Sequence, residues 1–133
     1  MSRFLLIIAA VVIVAAGCKK GAGEGGSSSI TGKVTLLDYN GAFPFYCDTM
    51  PAQEKDVYII YGDETSGFDN RVRTSYDGTF RFDYLRKGDY RIFVYTDDTV
   101  NIFSQEQAVV LKEVTISKNR STVEVPEITV IKL

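Results

Sequence analysis

Histidine is missing from all 133 residues, and so is tryptophan; cysteine occurs twice and proline three times. Without histidine the chain lacks the commonest general base, the commonest metal ligand and the natural pH switch. Ser–His and Cys–His nucleophile pairs cannot be assembled within it. Two cysteines and no histidine also exclude a structural zinc site of the usual kind. A surplus of positive charge is lacking too: 15 basic residues stand against 17 acidic ones, a formal charge of -2. That balance argues against general affinity for nucleic acid, which needs a basic face to displace condensed counterions. The reading is therefore non-enzymatic, with no cofactor, no resident metal and no catalytic residue.

What is present begins at the N-terminus. Phe4 to Gly17 is an unbroken apolar or small-residue run behind the positive Arg3. As a helix it would reach only about 21 Å, short of a hydrocarbon core of roughly 30 Å. That length suits the apolar region of a signal peptide. The run ends in Ala15-Ala16-Gly17-Cys18, three small side chains before a cysteine.

This pattern resembles the lipobox of bacterial lipoproteins, with Ala15 where that family usually has leucine. The resemblance implies cleavage before Cys18 and attachment of diacylglycerol and a further acyl chain to it. Two or three chains give stable anchoring where one is marginal. The alternative is that Cys18 is an ordinary apolar residue of a plain leader. Residues 18–29 then read as lipidated cysteine and tether. "KKGAGEGGSSS", Lys19 to Ser29, has the composition of a flexible linker with a reach of about 17–20 Å. No aspartate follows Cys18, which resembles outer-membrane sorting, so the expected location is the bacterial cell envelope.

Residues 30–133 punctuate like one all-β domain of seven or so short strands. "ITGKVTLLD" and "DVYIIYGD" are β-branched or apolar runs closed by turn residues. In "NRVRTSYDGTFRFDYL" two alternating arms flank Asp77-Gly78, which predicts a tight hairpin with positive φ at both turn residues. Phe80, Phe82 and Tyr84 should share the face of its return strand. Tyr90, Ile92 and Val94 should point inward from the next strand, with Arg91, Phe93 and Tyr95 outward. Pro126 marks an edge or bulge in the last strand.

Gly32 and Val34, then Thr74, Asp77, Gly78 and Phe80, then Leu85, Gly88 and Tyr90 resemble the carboxypeptidase regulatory-like, transthyretin-like family. The resemblance implies a seven-stranded β-sandwich and says almost nothing of function. It casts Tyr90 as a tyrosine corner, ring buried and hydroxyl bonded to nearby backbone.

The crossover from Tyr39 to Lys55 is longer than that family usually has, and long loops are often functional. Phe43, Phe45 and Tyr46 within it are residue types that anchor interfaces, so they are the expected partner contacts; the competing expectation is that they cap one end of the core. Cys47 is the sole remaining thiol if Cys18 is acylated. It could pair between molecules or react, but no histidine can activate it, and burial is the expected role. Acidic residues at Asp63-Glu64, Asp69-Asn70 and Asp97-Asp98 lack the spacing of a calcium loop. The expected function is partner-protein binding or assembly at the envelope; the alternative is a glycan- or ligand-binding module using exposed aromatics.

Overall fold

The computed structural model describes residues 21–63, 65, 67–101, 103 and 106–133. The leader and Cys18 lie outside the described residues. Every regular element among those described is a strand, and the strands form two sheets packed as a sandwich.

The first sheet is organised around β1 (Glu24–Asp38). Its N-terminal half pairs antiparallel with β5 (Thr79–Leu85), and its C-terminal half with β2 (Asp48–Pro51). On its other side run β8 (Thr122–Glu124) and β9 (Ile128–Lys132), both parallel to it. Pro126 falls in the break between these two, where a residue without an N–H costs the ladder nothing. The second sheet has the order β4-β3-β6-β7, from β4 (Asn70–Arg73), β3 (Asp56–Tyr61), β6 (Gly88–Asp97) and β7 (Gln107–Ile116).

The nine strands exceed the seven expected because the long crossover contains β2 and the final run splits in two. The core is filled from both inner faces: Ile30, Val34, Phe80, Phe82, Ile128 and Val130 meet Val57, Ile59, Tyr90, Ile92 and Val94. Tyr90, Ile92 and Val94 are buried as the alternation predicted.

Three expectations are corrected. The arms flanking Asp77-Gly78 do not pair with each other, because β4 joins β3 and β5 joins β1. Gly78 alone takes positive φ, at 81°, and its N–H donates to the Ser75 carbonyl at 3.0 Å. Buried Thr74 draws the first arm away: its N–H donates to the Lys55 carbonyl at 3.0 Å, and its hydroxyl accepts the Lys55 N–H at 2.9 Å. The turn therefore carries the chain from one sheet to the other.

Tyr84 does not share the face of Phe80 and Phe82. It is exposed at a bulge with φ 59°, and Leu85 takes the inward place.

The tether, finally, is largely folded: β1 starts at Glu24, six residues before Ile30, and Ser28 and Ser29 are buried. Ser28 Oγ donates to the Lys118 carbonyl at 2.9 Å and accepts the Ser121 N–H at 3.3 Å. Ser29 Oγ donates to Asp83 at 2.8 Å. A β-carbon on Gly26 would lie 2.1 Å from the Leu85 carbonyl oxygen, so the glycine lets β1 pass the bulge. Upstream, Arg86 donates from its backbone N–H to Gly23 O and from Nε to Gly21 O, at 2.9 and 2.8 Å. The buried Tyr90 hydroxyl accepts the Gly23 N–H at 2.9 Å and donates to Arg86 O at 2.6 Å, the expected tyrosine corner.

Candidate functional site: the distal end of the sandwich

Strand directions sort the loops into two ends. The chain enters at the end where Glu24, Leu85, Gly88 and Ile116 lie, together with the turns at 62–69, 86–87 and 117–121. At the opposite end β1 finishes at Asp38, β6 at Asp97 and β9 at Lys132. The two sheets are tied there: Thr96 Oγ1 accepts the Ile131 N–H at 2.7 Å, and Asp97 accepts the Leu133 N–H at 3.0 Å. Two connections leave this distal end, 39–47 between β1 and β2 and the one from β6 to β7.

The first loop is held at its root and apolar at its tip. Asp38 caps it, accepting the Asn40 N–H at 3.0 Å and the Lys132 ammonium at 3.0 Å. Both contacts favour the ionised carboxylate, the lysine bond most, and hold its pKa below the usual range. Tyr39 and Phe43 pack edge to face at 4.9 Å and are half-buried. Burial raises the Tyr39 pKa, and its hydroxyl also meets the Cys47 thiol. Beyond them Phe45 is 91% exposed and Tyr46 62% exposed, with the Tyr46 hydroxyl donating to Asp48 at 2.8 Å. That bond is the main reason the Tyr46 pKa is raised.

Of the three expected contact residues, Phe43 thus serves the loop's own packing, while Phe45 and Tyr46 face solvent. Cys47 is half-buried, a free thiol beside Tyr39.

Sequence reasoning missed the second loop. Val100 and Phe103 are 93% and 91% exposed, in the same outward position as Phe45. The available signal was three large apolar residues, Val100, Ile102 and Phe103, in a polar stretch without strand alternation. Around the tips lie Asp38, Asp48, Asp97 and Asp98, with Lys132 as the basic residue among them. The end is therefore apolar at its tips and acidic below them.

The outer face of the second sheet carries the expected Phe93 and Tyr95, joined by Tyr58 and Phe68. Tyr58 and Phe93 stack at 4.9 Å and 10°. Phe68 and Tyr95 meet Tyr58 edge-on at 4.7 and 5.5 Å. Tyr58 and Phe93 thus cover one face of each other, while Phe68 and Tyr95 remain 49% and 37% exposed.

A groove of about 720 Å³ opens between β4 and β5, with Lys33, Arg73, Arg81 and Glu124 on its walls. Lys33 is exposed. Phe80 lines the groove but shows only 4% of its surface, so there is no aromatic floor. Among the described residues no three acidic or cysteine side chains gather as metal ligands.

No family model matches the chain, and no curated protein matches it in sequence. Among solved structures it is similar to a "putative carbohydrate binding protein" of Pseudomonas aeruginosa at 13% identity. The match has a TM-score of 0.47 and covers 84% of this chain and 92% of that one.

Proposed function

We propose that this chain is a membrane-tethered, non-enzymatic binding module of the bacterial envelope that engages a partner protein through its distal end. The observation that supports this reading is the exposure of Phe45, Tyr46, Val100 and Phe103, on two connections far apart in sequence, at the end opposite the chain's entry. Large apolar side chains held in water on a tied-down base are what an interface core is made of. The proposed lipid on Cys18 would put that end farthest from the bilayer. An alternative glycan-binding role draws on the exposed Phe68 and Tyr95, but the groove without an aromatic floor favours protein contact.

The test is site-specific photo-crosslinking in cells, from positions 45 and 103 of the full chain. Positions 76 and 84 serve as controls, since Tyr76 and Tyr84 are 81% and 76% exposed elsewhere on the molecule. One identified protein crosslinking from 45 and 103 is the expected result, with the crosslink from 45 lost in a Tyr46→Ser, Phe103→Ser chain and that from 103 lost in a Phe45→Ser, Tyr46→Ser chain, each of unchanged Tm. Each double change should alter stability by less than about 0.5 kcal/mol, as surface positions do. Crosslinks equal at all four positions, or none at 45 and 103, would overturn the reading.

A further inference from the structure

The entry end carries a different surface. Arg86 and Lys87, between β5 and β6, border the Gly25–Ser27 backbone, and Lys118 and Arg120, in the turn between β7 and β8, meet the same stretch of β1 through their backbone, Lys118 O at Ser28 and Arg120 N–H at Ser27. Gly25, Gly26, Ser27, Arg86, Lys87 and Asn119 line a shallow depression there, and the Arg120 N–H donates to Ser27 Oγ at 3.1 Å. Lys87, Lys118 and Arg120 are exposed, and none forms a salt bridge among the described residues. The described carboxylates of this end turn instead toward the second sheet: Asp63, Asp69 and Asp89 lie beside Gly62 and Tyr61, and Glu24 accepts the Tyr61 hydroxyl and the Asn70 amide at 3.3 Å each.

We propose that this basic patch is a docking face for an anionic phospholipid surface, which stands the sandwich upright with β1 along the membrane normal. The inference rests on the lipid anchor at Cys18, and two features of the chain make the bilayer the occupant. Because Arg86 and Tyr90 hold Gly21–Glu24 against the fold, only Lys19 and Lys20 separate Cys18 from the anchored segment. Three extended residues span at most about 11 Å. An acylated Cys18 therefore keeps the patch within about a Debye length of the headgroups, where charge attraction is effective. Each cation that close to an anionic surface raises affinity roughly fivefold, so three or four suffice to set orientation once the lipid holds the domain there.

The test uses the full, lipid-modified chain in two kinds of vesicle, pure phosphatidylcholine or a mixture with phosphatidylglycerol. Cys47, at the distal end, carries a donor fluorophore and the headgroups carry the acceptor. On anionic vesicles the donor should sit about 40 Å above the surface, as the length of β1 implies. Energy transfer should then be low, and it should rise on neutral vesicles or in 0.5 M salt. A Lys87→Ser, Lys118→Ser, Arg120→Asn chain spares Arg86, which holds the entry segment, and should give the neutral-vesicle value on both. A vesicle-bound chain whose transfer ignores lipid charge and these substitutions would overturn the docking face alone. A chain that mass spectrometry finds without lipid, and that leaves vesicles no less readily than Cys18→Ala, would overturn the anchor and the docking face with it.

Discussion

Where the chain enters the fold, Arg86 and Tyr90 bind backbone atoms of residues 21–24, and Ser28 and Ser29 are buried with their hydroxyls bonded. At the other end Asp38 and the Tyr39–Phe43 pair steady the first loop, and Phe45, Tyr46, Val100 and Phe103 project into water. The entry end turns a Gly/Ser stretch into structure through polar bonds to distant residues. The distal end leaves aromatic residues outside the core although the sandwich could have buried them. Composition predicts the reverse at both ends, because it registers neither a hydrogen-bond partner ninety residues away nor the direction in which a loop leaves a sheet.

The contrast can be broken most severely at Gly26. A valine there collides with the Leu85 carbonyl oxygen and should cost on the order of 3 kcal/mol. Tm should fall by more than about 10 °C, read by circular dichroism. An unchanged Tm would mean that 24–29 does behave as a tether.

Removing one hydroxyl is gentler. Tyr90→Phe keeps the ring packed and leaves the Gly23 N–H without its partner, at a cost of about 1–3 kcal/mol. Hydrogen exchange should speed up at residues 21–29 and stay the same at 39–47.

The smallest effect belongs to the distal end and depends on pH. Asp38 titrates lower in the fold than in the unfolded chain, so its contribution is present above about pH 4 and is lost as pH falls through the depressed folded value. Asp38→Asn should therefore lower stability at pH 6 and make little difference at pH 2, in paired denaturation curves. An equal loss at both pH values would show that the carboxylate's charge is irrelevant there.

The residues whose fate was legible were those with local causes. Alternation gave the inward set of β6, a glycine gave the left-handed turn at 78, and Pro126 gave the break before β9. The Tyr90 corner was legible through resemblance and is realised in full. What failed was long-range. Two alternating arms around Asp77-Gly78 look alike whether they pair together or diverge into two sheets, since Thr74 and its Lys55 partner decide that. Half of the candidate site was found from one unusual loop. The other half, Val100 and Phe103, became visible only when strand order placed the second connection at the same end as the first.

The central position of β1 has a mechanical consequence. It runs from the entry end to the distal end, and it is flanked along its length by β5 and β2 on one side and by β8 and β9 on the other. Tension between an anchor at its start and a bound partner near its finish would act along the strand axis. Ladder hydrogen bonds lie across that axis, so they are sheared together rather than opened one at a time. A pull that would unzip a hairpin from its end must here displace two ladders at once.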